Sequence, residues 1–542
     1  MGRSLLSFSG AAASLTLIAL LLPASGSAQV AMSPEMQARG QALLERLQEG
    51  AAISVVAYGD SITDAWGTDG THVYHRLFAD ALAYRFPDAQ IVTHVSGNPG
   101  WTTEDALRSY DRRLDGLAPD LMLVQFGGND RGWGRPLSFI RRDLATLLTR
   151  AATETDALVI ACLPPWAEEI HDGEWAFASR EAAAEAGVPA ADFHRAIREA
   201  PHDFRGSFPY GSHPSSYSHV VMAKELLRVF DSSTAAPALL ECEIQRGAAP
   251  LGEMSYAFSA TVAAGTAEPV GFDARIEFGR ESRDTEGIAA AEAPVAISEQ
   301  FPVPEGLPAG RSYTIPVRLW TRAEGAGSFD VGWLAVAPAL TAGPEAKWQA
   351  LGADSVVLGK HLWQGEADLS ARFRARAFRD TLRFDVEVAD DQVSVGDLFD
   401  PSRGDCVEVY LDLRPDGEQG RPIYSEDVLA LQVIPPARPG GQMQWRNMHP
   451  LPADLADLSV NAHLSVGGYR VTVELPLAAV EARRGADWGG IGLDVGVNDA
   501  DHGTRKVQMM WAGTAENYLS PACLGGLYPG QVADGARRMI VQ

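Results

Sequence analysis

Two hydrophobic patterns divide the chain. From about residue 51 to residue 230, short apolar runs alternate with segments in which apolar residues recur every three or four positions. The runs predict strands and the segments predict amphipathic helices, and their alternation is typical of a parallel sheet covered by helices. We therefore predict a three-layer α/β domain at 29–235. Its strands are expected at 53–58, 89–95, 120–126 and 157–161, and its clearest helices at 74–86, 136–149 and 216–230.

After residues 231–237 the helical spacing disappears. Apolar and polar residues then alternate, as in 254–259 and 313–320, between turns rich in Gly and Pro. This pattern predicts an all-β sandwich at 238–340. A second break at 341–344 opens another β-rich region at 345–542, so the sequence predicts a multidomain protein with two β-sandwich domains after the α/β domain. Its predicted strands include 382–388, 407–412 and 469–475.

Length and charge fit this division and exclude some partners. The chain has 542 residues, more than one hydrophobic core usually serves. With 70 Asp and Glu against 45 Lys and Arg, its formal net charge is -25. Nucleic acid phosphates and anionic lipid surfaces would repel such a surface, so we expect neither as a partner.

The first 28 residues are predicted to be a signal peptide. Arg3 precedes an apolar stretch at 11–22, and Pro23 and a run of small residues at 24–28 follow. This is the order of a secretory signal, and the stretch is shorter than the roughly 20 apolar residues that span a bilayer. No other segment is long and apolar enough to span, so we expect a secreted or periplasmic protein with no membrane span.

The four cysteines leave two alternatives. They are too few and too dispersed for a disulfide framework, and no cluster of Cys and His indicates zinc. In an exported protein a Cys406–Cys523 bridge can form within the last domain, whereas the other alternative is four buried thiols. The cysteines are Cys162, Cys242, Cys406 and Cys523.

Chemistry-bearing residues follow three successive predicted strands. Ser61 comes just after the first, in Gly59-Asp60-Ser61-Ile62, at the carboxyl edge where open α/β sheets bind ligands. Gly97 follows the second strand and Asn129 follows the third, in Gly127-Gly128-Asn129-Asp130. Each element taken singly also fits a helix cap or a tight turn. Together they predict a nucleophile with amide donors for an oxyanion.

A histidine completes this set. His213, in Tyr210-Gly211-Ser212-His213, precedes the last helix of the domain and can return to the same sheet edge. There it would take the proton from Ser61 as a general base. A lone loop histidine is more often structural, so only its position relative to the other three elements selects it.

These four blocks resemble the SGNH (GDSL-type) hydrolases over residues 50–230. The resemblance implies a flavodoxin-like fold, Ser61 as nucleophile, His213 as base, and Gly97 and Asn129 in the oxyanion hole with the Ser61 amide. It also implies a carboxylic ester hydrolase that needs no metal or cofactor for catalysis.

The sequence departs from the family at one position. The family's last block is usually Asp-x-x-His, and here Tyr210 stands at the Asp position. That Asp orients the imidazole, and its loss can cost orders of magnitude in rate. Three explanations stay open: a Ser61–His213 dyad oriented by a backbone carbonyl, a different acid such as Asp203, or a weakened or lost activity. We favour the dyad because the other three blocks are intact.

Residues 345–530 resemble the family 9 carbohydrate-binding modules in the order and spacing of their strands. The resemblance implies a glycan ligand, for which Trp363, Trp445 and Trp511 are candidate platforms, although a Trp in a β-sandwich more often lies in the core. A structural calcium ion is a second expectation, and solvated turn carboxylates are its alternative. Its candidate ligands are Asp390, Asp391, Asp499 and Asp501.

Two functions from different classes follow. The first is an exported serine esterase that removes O-acyl groups, above all acetyl, from an acylated polysaccharide or oligosaccharide. The second is a catalytically weak or inactive glycan-binding protein. A lipolytic GDSL-type esterase is less favoured, since no lid is evident and the acidic surface opposes anionic membranes. The role of residues 238–340 stays open between a further module and a spacer.

Overall fold

The structure of the protein is a computed structural model. It describes residues 32–66, 68, 70–165, 172–200, 213–235, 240–248, 251, 255–304, 311–396, 403–421, 424–455, 457–501, 505–515, 517–533 and 536–541. The predicted signal peptide lies outside these residues, as do Asp203 and Tyr210. Within the described part of the chain, no helix combines the length and the apolar character needed to cross a membrane.

The N-terminal domain is built on a five-stranded parallel sheet. Its strand order is β2-β1-β3-β4-β5, which is the flavodoxin-like doubly wound order. The predicted α/β fold is therefore confirmed. The strands are β1 (Ala52–Gly59), β2 (Gln90–Gly97), β3 (Leu121–Gln125), β4 (Leu158–Leu163) and β5 (Ala190–Asp192).

Helices cover both faces of this sheet. Because side chains alternate along a strand, Ile53 and Val55 of β1 pack in one buried cluster, whereas Val56 and Tyr58 pack in the other. The first cluster includes residues of α2 and α8, and the second includes residues of α3 and α5. The helices are α1 (Pro34–Gln48), α2 (Tyr74–Arg85), α3 (Thr103–Leu114), α4 (Gly128–Gly132), α5 (Leu137–Glu154), α6 (Asp172–Ala186), α7 (Phe193–Glu199) and α8 (Ser216–Thr234).

The middle region is a β-sandwich, as the alternating pattern indicated. A three-stranded sheet in the order β11-β8-β6 faces the antiparallel strands β10-β9-β12-β13 across a shared core. The strands are β6 (Leu240–Ile244), β7 (Gly247–Ala248), β8 (Ser255–Ala264), β9 (Val270–Phe278), β10 (Glu281–Ala289), β11 (Val295–Pro302), β12 (Tyr313–Ala323) and β13 (Ala326–Thr341).

The C-terminal region is a second sandwich. Its first sheet has the order β14-β16-β17-β22-β21, and its second contains β25-β23-β18-β19-β20, with β24 between β23 and β15. The elements are β14 (Gln349–Leu351), β15 (Val356–Leu358), β16 (Leu369–Phe378), β17 (Thr381–Asp390), β18 (Cys406–Asp412), β19 (Val428–Ile434), β20 (Gln444–Asn447), β21 (Ser459–Ser465), β22 (Gly468–Pro476), α9 (Leu477–Arg484), β23 (Ile491–Asp499), β24 (Val507–Met510), β25 (Gly525–Tyr528) and β26 (Arg537–Val541).

Two strands join the sandwiches into one body. The long strand β13 pairs with β12 in the middle sandwich and with β25 of the C-terminal one. The last strand, β26, returns to pair with β13 and β7, and its Met539 and Val541 lie in the middle core. The C-terminal module is thus an insertion between β13 and β26, which argues against a flexible spacer.

The middle sandwich also packs on the α/β domain. Trp320, Phe329 and Val331 lie in the same buried cluster as α2 and α8. Asp330 is only 1% exposed. Its carboxylate accepts a hydrogen bond from the Ile244 amide at 2.8 Å and forms an ion pair with the Lys224 ammonium of α8 at 2.6 Å. Burial opposes its charged form, but Lys224 and Arg246 outweigh that effect and hold the pKa of Asp330 below its ordinary value.

The cysteines follow the second of the two predicted alternatives. All four are free thiols, and three of them are buried. The Cys406 sulfur accepts a hydrogen bond from the Asn498 amide at 3.1 Å, and the Cys523 sulfur lies 3.8 Å from the Thr314 hydroxyl. The two sulfurs have different neighbours, so Cys406 and Cys523 form no bridge.

Candidate active site

The carboxyl ends of three strands meet where the sequence placed its motifs. Gly59, the last residue of β1, lies opposite Gly97 of β2 and Gln125 of β3. Ser61 follows two residues later, and the backbone there runs close to its neighbours. A Cβ on Gly97 would lie 2.6 Å from the Asp64 Cβ and 2.7 Å from the Asp64 nitrogen. Glycine is thus required at 97 for the Ser61 turn to pack against β2.

The turn that carries Ser61 is held by Asp60. One Asp60 oxygen accepts a hydrogen bond from the Ile62 amide at 2.9 Å, and the other accepts one from the Gln125 side chain at 3.4 Å. Burial raises the pKa of Asp60 to about 7, although both hydrogen bonds favour the carboxylate. Both carboxyl oxygens are occupied inside the turn, so Asp60 fixes the backbone on either side of the serine.

The structure brings Ser61 and His213 together across 152 positions of sequence. His213 Nε2 lies 2.9 Å from Ser61 Oγ, and Ser61 is 8% exposed. His213 lies two residues before Ser215, the N-cap of α8, whose side chain accepts a hydrogen bond from the Ser218 amide. A serine hydroxyl hydrogen-bonded to an imidazole is the arrangement of an activated nucleophile.

Asn129 is held in place by a neighbouring loop. It lies in the first turn of α4, and its Nδ2 donates to the Trp101 carbonyl at 2.9 Å. A side-chain amide has two N–H donors, so the second stays available for a ligand oxygen. Gly97 and Asn129 lie at the ends of β2 and β3, the two strands that flank β1 and the Ser61 turn, which suits the predicted oxyanion hole. Their role there remains a prediction.

Asp130 fixes the helix that carries Asn129. Its carboxylate is fully buried and accepts from the Thr103 amide at 2.8 Å and the Thr103 hydroxyl at 2.7 Å. Arg135 pairs with the same carboxylate and with Asp143 of α5. Asp130 therefore ties α4 to the first turn of α3, which keeps the Asn129 amide rigid.

Sequence reasoning missed two residues of this site, Gln125 and Trp66. Gln125 ends β3 and bonds to Asp60 and Thr63, and the only signal for it was a polar residue closing an apolar strand. Trp66 and Trp133 are exposed aromatic residues close in sequence to Ser61 and Asn129, at 56% and 75%. The sequence patterns indicated aromatic platforms only in the C-terminal region, at Trp363, Trp445 and Trp511.

Comparison with known families assigns two of the three regions. Residues 57–220 match the GDSL-like Lipase/Acylhydrolase family, and residues 345–528 match the Carbohydrate family 9 binding domain-like family. The chain joins a GDSL-like esterase domain to a carbohydrate family 9 binding domain. Both resemblances stated from the sequence are confirmed. Among curated proteins, no sequence match is found.

Solved structures similar to the chain include three hydrolases. A two-domain esterase active on acetylated mannans is 12% identical, with 49% of this chain and 91% of that chain covered and a TM-score of 0.32. An alpha/beta hydrolase from the metagenome of Lake Arreo, Spain, is 23% identical, with coverages of 34% and 96% and a TM-score of 0.30. An acetylxylan esterase from Geobacillus stearothermophilus is 19% identical, with coverages of 34% and 96% and a TM-score of 0.30. The fold assignment rests on the sheet order itself.

The predicted tryptophan platforms of the carbohydrate-binding module pack against its core. Trp511 is 4% exposed and packs edge to face on Phe373, so its choice as a sugar platform was wrong. Trp363 and Trp445 are partly buried against the same core, and the Trp363 indole donates to the Leu369 carbonyl at 2.9 Å. Apolar packing, the commoner fate of a Trp in a β-sandwich, decides the position of Trp511.

A buried polar cluster lies on the face of the β25-β23-β18-β19-β20 sheet that points away from the core of the module. Val407, Val409 and Leu411 of β18 face the core, whereas Glu408 points to the other face. Its carboxylate accepts from the Tyr410 hydroxyl at 2.9 Å and the Gln508 amide at 3.1 Å. We call Glu408, Gln432, Asn498 and Gln508 the polar cluster.

Two oxygens of the polar cluster have no hydrogen-bond partner among the described residues. Asn498 Oδ1 and Gln508 Oε1 are buried, yet neither is hydrogen-bonded within the described part of the chain. At the edge of the cluster, the partly buried Arg446 donates to Gln432 Oε1 at 3.0 Å. Buried polar atoms are costly when unpaired, so this cluster is suited to bind water or ligand hydroxyl groups.

Aspartates converge at one end of the module. Ligand oxygens of Asp368, Asp391 and Asp501 lie within 4.8 Å of one another. Asp368 was not among the predicted ligands. Asp390 Oδ2, Asp499 Oδ2 and Asp501 Oδ1 are buried there and lack a hydrogen-bond partner among the described residues. Clustered carboxylate oxygens with unpaired acceptors are the donor set that calcium prefers, so the residues fit the predicted ion.

Proposed function

We propose that the protein is a secreted or periplasmic serine esterase that removes O-acyl groups, above all acetyl, from a polysaccharide. The observation that carries the proposal is the 2.9 Å contact of Ser61 Oγ and His213 Nε2. It occurs in a GDSL-like esterase domain on a chain that also holds a carbohydrate-binding module. A module that binds the polymer raises the effective concentration of acyl groups at the esterase domain.

Ser61 Oγ attacks the carbonyl carbon of the ester, and His213 Nε2 takes its proton. The carbonyl oxygen becomes an oxyanion, which the amides of Ser61 and Gly97 and the free N–H of Asn129 stabilise. His213 then gives its proton to the departing sugar oxygen, and an acyl-enzyme is left on Ser61. Water, deprotonated by His213, attacks this ester; the bond from the acyl carbon to Ser61 Oγ breaks, His213 returns the proton to Ser61 Oγ, and the carboxylic acid is released.

The geometry favours this function over a binding protein without activity. An inactive descendant has no need to keep an enclosed serine hydroxyl bonded to an imidazole. Asp60 and Gln125 hold the turn that carries Ser61, and Asp130 holds the helix that carries Asn129. The orientation of His213 by a backbone carbonyl rather than by Asp203 is part of the proposal, since Tyr210 stands at the usual Asp position.

The function is tested with two kinds of substrate. Acetate release from acetylated xylan and acetylated pectin is compared with hydrolysis of a long-chain 4-nitrophenyl ester. We expect acetate from at least one polymer and little cleavage of the long-chain ester. Hydrolysis of the long-chain ester alone would favour a lipolytic enzyme. Release from neither substrate would leave the binding protein as the better account.

The carbohydrate-binding module is proposed to hold the polymer at the polar cluster. Arg446 lies at its edge and donates to Gln432. Hydrogen bonds to charged groups contribute about 1.5–3 kcal/mol each. We therefore expect Arg446→Ala to weaken polysaccharide binding by about tenfold or more. Binding is measured as the fraction of protein that the insoluble polymer removes from solution, with the change made in the Ser61→Ala chain.

Arg470 provides the matched control for this variant. It lies on β22 in the other sheet of the module, and its exposed side chain pairs with Glu387. Arg470→Ala should change binding by less than about twofold, as expected for an exposed ion pair. An equal loss in both variants, or no loss in Arg446→Ala, would rule out the polar cluster as the binding site.

Calcium is proposed as a structural ion at Asp368, Asp391 and Asp501. An ion that binds only the folded chain stabilises it by about 2.7 kcal/mol at a hundredfold excess over its Kd. We expect calcium to raise the unfolding temperature of the wild-type chain and chelation to lower it. In Asp391→Asn, where the exposed ligand is weakened, that shift should shrink. An equal shift in both chains would place the effect elsewhere.

A further inference from the structure

An exposed tryptophan lies beside the imidazole of His213. The ring centroids of Trp66 and His213 are 5.8 Å apart, and the two planes are tilted by 34°. Trp66 is 56% exposed. A single exposed aromatic residue is common on protein surfaces, so its exposure carries no weight by itself. Its placement next to the base is what requires an explanation.

The backbone fixes Trp66 to the nucleophile. The Trp66 amide donates to the Ser61 carbonyl at 3.1 Å. The intervening Ala65 has a φ of 69°, in the left-handed region that residues with a Cβ seldom adopt. Such strain persists where surrounding structure enforces it, and it concentrates at functional sites. The turn therefore presents the indole at a fixed place relative to Ser61 and His213.

The position beside His213 selects one part of the substrate. His213 Nε2 must reach both Ser61 Oγ and the oxygen of the departing alcohol, because it carries the proton between them. The alcohol therefore leaves on the imidazole side of the site. Asn129, which would meet the carbonyl oxygen, lies on α4 instead. Trp66 thus adjoins the alcohol portion of the ester rather than the acyl portion.

We infer that Trp66 is the stacking platform for the sugar ring that carries the ester. The inference rests on the proposed function and adds to it a specificity-determining residue of the esterase domain. A pyranose ring has an apolar C–H face that an indole covers well, and its hydroxyl groups stay in water at such an exposed site. A carbohydrate ester should therefore be preferred over a simple alkyl ester.

The test compares two esters with the same acyl group. The kcat/KM values for acetylated xylobiose and for ethyl acetate are measured in a pH-stat, and their ratio is the readout. Trp66→Ala is expected to lower this ratio about tenfold, because KM for the sugar ester rises while its kcat stays nearly the same. Trp66→Phe should keep the ratio within about threefold of the wild-type value, because a flat aromatic face remains.

Phe177 of α6 is the matched control, since it is also 56% exposed. Phe177→Ala should leave the ratio unchanged. An unchanged ratio in Trp66→Ala, or an equal fall in Phe177→Ala, would overturn the role of Trp66 as a platform. In either case, acetate release by the wild-type chain would still support the esterase function. If the wild-type chain cleaved ethyl acetate and no sugar ester, both the platform and the proposed function would fail.

Discussion

Replacing Ser61 with alanine is expected to lower kcat/KM for 4-nitrophenyl acetate by about 10⁴-fold or more. The Ser61 oxygen lies 2.9 Å from His213 Nε2, and alanine removes the atom that we propose attacks the ester. What remains is the oxyanion hole acting on a bound ester, which in serine hydrolases leaves only a small residual rate. Initial rates over a range of ester concentrations measure the effect.

The variant should fold like the wild-type chain, because Ser61 Oγ is used in the contact with His213 and the turn is held by Asp60 instead. Unfolding temperatures of both chains check this point. Ser138→Ala, at an exposed serine of α5, is the matched control and should keep full activity. If Ser61→Ala retained a tenth or more of the wild-type rate, another group would have to be the nucleophile.

Replacing His213 with alanine is expected to cost about 10³-fold to 10⁴-fold in the same assay. Without the imidazole, no base accepts the Ser61 proton at 2.9 Å, and hydroxide from solvent must take that role. An imidazole acts as a base only when it is neutral, so wild-type kcat/KM should fall toward acid pH. The His213→Ala profile should instead rise steadily with hydroxide concentration.

His361→Ala supplies the control, since this exposed histidine lies in the carbohydrate-binding module. It should reproduce both the rate and the pH profile of the wild-type chain. A His213→Ala variant that kept the acid limb of the profile would show that another group governs it. In that event the contact between His213 and Ser61 would be structural.

Much of the esterase domain could be predicted because its signals are local. Each apolar run that predicted a strand became one, and strand ends differ from the predictions by one or two residues. The parallel order of the sheet then brings the ends of β1, β2 and β3 to one edge. The placement of Ser61, Gly97 and Asn129 along one sheet edge follows from topology, so three short motifs were enough to predict a candidate site there.

Other features depend on contacts that no local pattern carries. Strand β26 lies in the middle sandwich although it follows the carbohydrate-binding module in sequence, and β-pairing between distant segments leaves no periodicity to detect. Trp511 was a candidate platform, yet it follows β24 directly and packs on Phe373, and whether a side chain at such a position points inward depends on strand register. Trp66 was missed because only its contact with the His213 ring marks it as part of the site, and that contact joins residues far apart in sequence.

The most direct test of the central claim is acetate release from an acetylated polysaccharide by the wild-type and Ser61→Ala chains at equal concentration. Acetate is quantified enzymatically over time, and both chains carry the same carbohydrate-binding module. We predict steady release by the wild-type chain and none above the buffer control by Ser61→Ala. Equal release by the two chains, or no release by the wild-type chain from any acetylated polymer, would contradict the account.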